Sequence, residues 1–267
     1  MKKFSIQDKR LFEQICKLNQ EDLLHLVTAF LQKHYPKVEA TYDYVFAEGE
    51  IPIALVAHLD TVFDKPPVEI YYDQERGVMW SPQGLGADDR AGVFAILKII
   101  QAGFLPHVIF TTDEECGGIG AEWLVYDYQT CPFNDLKYII ELDRRNNSDA
   151  CFYDCINQKF IQFIENAGFY ETPGIYSDIV ELCPAWQVAG VNLSVGYVDE
   201  HSEIERLYVP ALLQTIESVK HLLKKVCDNF VWECDPCVAE FLANKKYYIR
   251  NYNKTDPLLF SNTDNIF

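Results

Sequence analysis

The sequence predicts an α/β protein in which a mixed, mostly parallel central sheet carries helices on both faces, as three layers. Short apolar runs alternate with segments of helical periodicity along most of the chain, which is typical of such sheets. The 267 residues, 49% of them hydrophobic, are enough to bury a sizeable core. Because no Gly/Ser/Pro-rich linker interrupts them, we expect one domain over residues 1–227 and a tail, residues 228–267, packed on it.

The expected elements follow from the spacing of the apolar residues. Residues 7–34 carry them at helical spacing and predict two helices. Val38–Phe46 alternates as a half-buried strand does, whereas Ile53–Ala57, within the run 52–58, is apolar throughout, as in a strand buried on both faces. The other expected elements are a hairpin at 68–80 with Gly77 near its turn, strands at 108–112, 138–142, 150–155 and 187–197, and helices at 91–100, 119–126, 157–167 and 209–226.

Charge and hydropathy exclude several classes of partner. The formal net charge of −17 repels phosphate backbones and anionic membranes, so we expect neither nucleic acid nor a membrane as a partner. The first residues lead directly into charged ones, without the apolar stretch of an export signal. No segment approaches the roughly 20 apolar residues that a membrane span needs.

The cysteines point to a reducing compartment. There are nine of them at irregular spacing, and together with the missing export signal they predict reduced thiols and a cytoplasmic location. Cys234 and Cys237 form a CxxC pair, but no second pair follows. We interpret them as incidental thiols rather than as a metal or redox site.

Histidine and acidic residues follow several of the expected strands. In sheets of this type, ligands bind beyond the carboxyl ends of the strands, and four of the expected strands are followed by residues that can hold a cation. These residues are His58, Asp113–Glu115, Asp143 and His201. Imidazole and carboxylate ligands without thiolate suit zinc, with cobalt or manganese as substitutes.

Two of the motifs have a simpler explanation when taken alone. His58-Leu59-Asp60 places an acceptor near a histidine, as a metal ligand with a fixed ring requires, but a lone histidine at a strand end is more often structural. The turn Gly84–Gly92 contains Asp88 and Asp89. Either they cap the following helix, where the dipole favours negative charge, or one of them bridges two cations.

The acidic run Asp113-Glu114-Glu115 also has a simpler explanation when taken alone. Three adjacent carboxylates repel one another, and a solvated loop is the simpler explanation. In a functional site, one glutamate binds metal while its neighbour, unable to reach the same ion, takes a proton from water. On the next strand, alternation puts Glu141 and Asp143 on one side, with Asp143 nearer the strand end.

The order of these motifs resembles that of the co-catalytic di-zinc exopeptidases, the superfamily that includes tripeptidase T, carboxypeptidase G and the bacterial leucyl aminopeptidases. The motifs are HxD at 58–60, GADDRAG at 86–92, EE at 114–115, then Asp143 and His201. The GADDRAG stretch is most similar to tripeptidase T. Each motif is modest, but five in this order are specific, and the resemblance runs from residue 52 to residue 226.

The resemblance implies a role for each of these residues. It implies two zinc ions with five ligands, His58 and Asp143 on one ion, Glu115 and His201 on the other, and Asp88 bridging both. Asp60 would orient His58, and Glu114 would be the general base and acid. Asp89 would lie beside the bridging residue, where the family often has a cis peptide bond between the two.

Two departures from the family limit what can be carried over. Relatives insert a dimerisation or lid domain between the last two ligands, or another domain between the first histidine and the bridging aspartate. Residues 144–200 and 61–87 are too few for either. We therefore expect the catalytic domain alone, with an open site, as a monomer or as a dimer built on an unconventional face. The segment Gly174–Asp178 is similar to a Ser-Asp loop near the site of the leucyl aminopeptidases, so Tyr176, Ser177 and Asp178 either contact substrate or form an ordinary turn.

The function that the resemblance implies is hydrolysis of a peptide or amide bond in a small substrate. An aminopeptidase or small-peptide exopeptidase is the leading interpretation, although the motifs do not separate aminopeptidases from carboxypeptidases. An amidase or deacylase acting on a non-peptide substrate would use the same metal ions. Substrate specificity is determined by the residues that line the pocket and not by the metal centre. A non-catalytic binding protein on this fold usually lacks a ligand or the base, and here every expected position is filled.

Overall fold

The computed structural model of the chain describes residues 3–240. Its helices are α1 (Ile6–Cys16), α2 (Gln20–His34), α3 (Ala87–Gln101), α4 (Ile119–Asp127), α5 (Gln158–Glu165), α6 (Ile179–Trp186) and α7 (Val209–Leu222). Its strands are β1 (Val38–Ala40), β2 (Tyr44–Ala47), β3 (Ile51–His58), β4 (Tyr71–Asp73), β5 (Val78–Trp80), β6 (Pro106–Thr111), β7 (Tyr138–Arg144), β8 (Asp149–Cys151), β9 (Tyr170–Glu171), β10 (Gly190–Ser194), β11 (Tyr197–Val198) and β12 (Arg206–Tyr208).

The central sheet confirms the predicted fold class. Its strand order is β1-β2-β6-β3-β7-β10-β8-β9, and the four strands β6, β3, β7 and β10 run parallel at its centre. Helix α3 packs on β3 and β7 and contacts α1 and α7, whereas α4 and α6 contact each other and pack against β2 and β7 respectively. Because β3, β6 and β7 are parallel neighbours, their carboxyl ends meet at one edge of the sheet.

Glycine at position 92 allows α3 to lie close to the sheet. A Cβ atom there would lie 2.0 Å from the carbonyl oxygen of Leu142 in β7 and 2.5 Å from the carboxylate of Asp89. Within α3, Asp88 and Asp89 have non-helical backbone angles. The regular helix therefore begins after them, in agreement with the predicted helix at 91–100.

The prediction of a single strand over Val38–Phe46 is wrong. The segment forms the antiparallel pair β1 and β2. The Thr41 hydroxyl accepts hydrogen bonds from the backbone N–H groups of Asp43 and Tyr44, both at 3.1 Å. This side chain turns the chain back where simple alternation predicts continuation.

The predicted strand at 187–197 is also wrong in its bounds. Helix α6 occupies the segment before it and was not predicted, because it is short, apolar on most sides and contains Pro184. Strand β10 is shorter than predicted, and the chain then enters β11, which belongs to a second sheet. His201 therefore follows a strand of that second sheet rather than one of the central sheet.

The second sheet has the order β11-β12-β5-β4. It includes the predicted hairpin, β4 and β5, with Gly77 at φ 68° in its turn. The pairing of β5 with β12 was not predicted. This pairing brings the segment before α3 next to the segment that follows His201.

The chain after α7 returns to the central sheet. Helix α7 ends at Leu222 rather than at the predicted residue 226. The backbone of Phe230 donates to the Lys137 carbonyl and accepts from Ala189, both at 2.9 Å, and Cys234 and Cys237 are free thiols. The rest of the predicted tail, residues 241–267, lies outside the described residues. No helix among residues 3–240 is long and apolar enough to cross a membrane.

Candidate metal centre

Four of the five predicted metal ligands lie around the carboxylate of the fifth, Asp88. One of its oxygens lies 3.2 Å from His58 Nε2, and the other lies 3.2 Å from His201 Nε2. Asp143 Oδ1 is 3.5 Å from His58 Nε2, and Glu115 Oε2 is 3.0 Å from His201 Nε2. The side chains thus form two groups of possible ligands that share Asp88.

The spacing of these atoms fits divalent cations. Zinc binds nitrogen and oxygen at about 2.0–2.2 Å in tetrahedral geometry, so two ligands of one ion lie about 3.4 Å apart. The four distances between ligand atoms, 3.0–3.5 Å, bracket that value. In addition, Glu115 Oε1 is buried without a hydrogen-bond partner, as expected of an acceptor whose natural partner is a cation.

Asp60 connects the first histidine to the acidic loop. One of its carboxylate oxygens lies 3.1 Å from His58 Nδ1 and accepts a hydrogen bond from the backbone N–H of Glu114 at 3.0 Å. Its other oxygen accepts from the backbone N–H of Glu115 at 2.9 Å. The expected contact between Asp60 and His58 is therefore present, and the same carboxylate also fixes the two glutamates.

Asp89 connects the backbones of β3 and α3 next to the site. Its carboxylate accepts hydrogen bonds from the backbone N–H groups of His58 at 3.3 Å and of Gly92 at 2.9 Å. The peptide bond between Asp88 and Asp89 is cis, as the resemblance implied. The adjacent aspartates therefore have different environments: Asp88 faces the two histidines, and Asp89 joins β3 to α3.

Without a cation, protons balance part of the negative charge. Burial and the charge of Asp88 raise the pKa of Asp143 to about 7. Burial, with the carboxylates of Asp143 and Asp178 nearby, raises the pKa of Glu114 to about 9. Hydrogen bonds to Asp88 and Glu115 raise the pKa of His201 to about 11. The protein alone thus holds more carboxylates here than it can keep ionised, which is the electrostatic character of a cation site.

Glu114 lies close to both groups of ligands. One of its oxygens is within 4.8 Å of ligand atoms of both His58 and Glu115. Its backbone is fixed by Asp60, as described above, so its carboxylate is presented to the same space as the two groups. Its carboxylate is therefore close to one possible ligand of each group.

Two residues that the sequence analysis did not single out hold Asp143. The Asn192 amide accepts from the Asp143 backbone N–H at 2.9 Å and donates to its carboxylate at 3.3 Å. The Tyr197 hydroxyl lies 3.1 Å from Asp143 Oδ1. Both residues are almost fully buried. An isolated polar residue within a strand carries no local pattern, so only the pairing of β10 with β7 identifies Asn192.

The segment Gly174–Asp178 does not act as one unit. Ser177 donates to Glu141, Asp178 accepts from Thr111, and both are fully buried, so neither side chain is exposed to a substrate in this structure. Tyr176 is half-buried, and its hydroxyl lies 3.4 Å from the Gly117 carbonyl oxygen, beside the acidic loop. Of the three, only Tyr176 is partly exposed to solvent.

The fold is shared with several solved peptidase structures. Aminopeptidase PepT from Bacillus cereus matches with a TM-score of 0.66 at 14% identity, over 81% of this chain and 97% of that one. A tripeptidase from Staphylococcus aureus matches with a TM-score of 0.67 at 13% identity, over 82% and 98%. The Pyrococcus horikoshii TET1 peptidase, which can assemble into a tetrahedron or a large octahedral shell, matches with a TM-score of 0.60 at 15% identity, over 83% and 99%.

Two comparisons based on the sequence found no match. No protein-family profile matches the chain, and no curated protein matches it. At identities of 13–15% the structural likeness establishes the fold, and the chemistry must be argued from the site itself.

Proposed function

We propose that this chain is a hydrolase of peptide or amide bonds that works with two zinc ions, and that it acts as an aminopeptidase on small peptides. The observation that carries the proposal is the carboxylate of Asp88, which offers one oxygen to each of two histidines at 3.2 Å. His58 and Asp143 would hold one ion, and Glu115 and His201 would hold the other. Cobalt or manganese would be tolerated as substitutes.

Zinc ions held by these residues would supply Lewis acidity, which would polarise a substrate carbonyl and make water a stronger nucleophile at neutral pH. Glu114 then takes a proton from the attacking water and returns it to the leaving amine. Asp60 acts through two other residues, because it fixes both the ring of His58 and the backbone of Glu114. Tyr176 borders the space that a substrate would enter.

The charge of the chain favours a substrate with a free amino group. Two zinc ions would offset the carboxylates that bind them, but the chain as a whole carries a net charge of −17. A protonated amino terminus is attracted by such a field, whereas a carboxylate is repelled. The similar structures named as aminopeptidases and a tripeptidase agree with this choice.

Hydrolysis of matched substrates tests the proposal. Zinc-loaded protein is assayed on dipeptides, on the same dipeptides with an acetylated amino group, and on simple acyl amino acids. We expect cleavage of the free dipeptides, loss of that cleavage on acetylation, and close to two zinc ions per chain by elemental analysis. Cleavage of the acyl amino acids alone would instead identify an amidase or deacylase, and protein that binds no zinc would contradict the proposal.

We also propose that the protein is a monomer, or a dimer on an unconventional face. The segments between the ligands are short, at 61–87 and 144–200, and leave no room for an inserted dimerisation domain. The similar TET1 peptidase can assemble into a large shell, so the alternative is a large assembly of this kind. Sedimentation at low salt decides between them, and a particle of twelve subunits would contradict a monomer or dimer.

A further inference from the structure

Glu205 is a buried carboxylate that no step above uses. Its side chain is fully buried. Its two oxygens accept hydrogen bonds from the backbone N–H groups of Ala87, at 2.9 Å, and of Asp88, at 3.1 Å. These donors lie at the start of α3, where Gly86 provides no side-chain cap of its own. A residue 118 positions along the chain from Ala87 therefore caps the segment that presents Asp88 to the histidines.

The environment of Glu205 is unfavourable for a charge that only caps a helix. Among residues 3–240, Glu205 forms no ion pair with a lysine, arginine or histidine, and the charge of Asp88 opposes its own. The two backbone hydrogen bonds offset only part of the cost of burying this charge. Cations bound by Asp88 on its other side would offset that repulsion, so the position of Glu205 is consistent with an occupied centre.

The histidines of the two proposed cation positions lie on different kinds of element. His58 and Asp143 lie on central strands, and the side chain of His58 is only 1% exposed. The side chain of His201 is 52% exposed, and the residue lies on the loop between β11 and β12 with φ 62°. Loss of a support on that loop should therefore affect His201 more than His58.

Glu205 is the buried residue of the loop between β11 and β12, residues 199–205, which we call the His201 loop. Its backbone N–H donates to the Ser202 carbonyl at 3.0 Å, so its side chain ties the whole turn to α3. Apart from the contacts of His201 itself, the ion pairs that join the side chains of this loop are Arg145 with Glu200 and Arg206 with Asp199, both on the surface. Exposed pairs of this kind contribute little to holding a conformation.

We propose that Glu205 is a positioning residue that holds His201 against Asp88 and so sets the affinity of the second cation position, the one formed by Glu115 and His201. The inference rests on the proposed function, because it requires two cations at this centre. Its specific content is an asymmetry: loss of the Glu205 carboxylate weakens one position and leaves the other nearly unchanged.

Zinc titration of Glu205→Gln tests this asymmetry. The amide keeps the volume but turns an N–H group toward a backbone N–H donor, so one of the two anchoring hydrogen bonds is lost. Removal of a group that orients a ligand typically lowers metal affinity about 10–100-fold. Competition with a chromophoric chelator should show that loss for the second zinc ion only, with the first ion bound within about threefold of wild type.

The assignment of the weakened position uses ligand variants. In a His58→Ala background, where the remaining position is the one with His201, Glu205→Gln should weaken zinc binding. In a His201→Ala background it should leave the remaining position unchanged. Glu203→Gln is the matched control, because it makes the same chemical change on an exposed residue of the same loop, and both zinc affinities should stay at the wild-type values.

Two results separate the explanations. If wild-type protein binds no zinc, the proposed function is wrong. If wild type binds two ions and Glu205→Gln also binds both with unchanged affinity while only its thermal stability falls, Glu205 is a helix cap alone and the inference is overturned. Glu205→Asp retracts the carboxylate by one methylene and should weaken the same position, so it replaces the amide variant if that variant does not fold.

Discussion

Each end of the central sheet contains a buried histidine, and the two histidines differ in their surroundings and in the direction of their pKa shifts. His58, at the carboxyl end of β3, and His107, near the start of the neighbouring β6, are both 1% exposed. The ring of His107 accepts from the Gly49 N–H at 3.0 Å and contacts Asp135 at 3.2 Å. Its ring also stacks on Phe133 at 4.3 Å.

His58 instead meets three carboxylates, those of Asp60, Asp88 and Asp143. Burial disfavours its charged form, yet these anions raise its pKa well above the ordinary value. Burial lowers the pKa of His107, although Asp135 opposes the shift. Burial is thus common to a structural and a proposed functional histidine, and the difference lies in the surplus of anions at one end.

The largest effect should come from Glu114 at the carboxyl end. Glu114→Gln keeps the shape of the side chain but cannot take a proton from water, so turnover should fall by about 10²–10⁴-fold with both metal ions retained. Glu115→Ala should lower metal content and activity together. Initial rates on a cleavable dipeptide and elemental analysis of the same samples measure both.

A variant at the other end of the sheet is the control for Glu114. Asp135→Asn removes a carboxylate from the neighbourhood of His107 and should leave turnover within about twofold. Near-full activity of Glu114→Gln would contradict its role as the base. If Glu115→Gln then abolished activity with metal still bound, the roles of the two glutamates would be exchanged.

The gain in the free energy of unfolding on zinc binding should depend on His58 and not on His107. Each ion contributes roughly 2.7 kcal/mol to the free energy of unfolding at 100 times its dissociation constant. Denaturant unfolding with zinc and with chelator should show this gain in wild type and in His107→Gln. His58→Ala should lose the contribution of the ion that His58 binds and keep that of the other ion. A full gain in His58→Ala together with a reduced gain in His107→Gln would reverse the comparison between the two ends.

The smallest effect should be the pH dependence at His107. Because its pKa is lowered in the folded state, the unfolded chain binds a proton there more readily below about pH 6.5. His107→Gln loses ring contacts, and a buried hydrogen bond contributes about 0.5–1.5 kcal/mol. The stability advantage of wild type should therefore be full above pH 6.5 and shrink as the pH falls through it. Chelator-treated protein unfolded at pH 7.5 and 5.5 measures this, and an advantage that grows on acidification would contradict it.

The carboxyl end of the sheet was predictable from the sequence because its signals are local. The apolar run 52–58 predicts β3 and places His58 at its end, and Asp143 is placed in the same way by β7. The motif GADDRAG predicts a turn before a helix, as observed. The structure brings these predicted residues together, and their roles remain predictions until metal content and activity are measured.

The features that were missed depend on partners distant in the sequence. His201 was placed after a central strand, but β11 belongs to the second sheet, whose pairing of β5 with β12 leaves no local pattern. Glu205 stands among other charged residues in a loop, so its burial cannot be inferred from its neighbours. Helix α6 is apolar on most sides and lacks the periodic polar face that identifies a helix in a sequence.

The pairing of β5 with β12 has a consequence for the order in which the chain folds. Glu205, directly before β12, contacts a residue 118 positions away, and the intervening segment carries Glu115 and Asp143. Closing so long a loop has an entropic cost that grows with the logarithm of its length, and contacts of large sequence separation form slowly. We therefore expect the His201 loop to dock late in folding, so that the second cation stabilises an already folded chain rather than nucleating it.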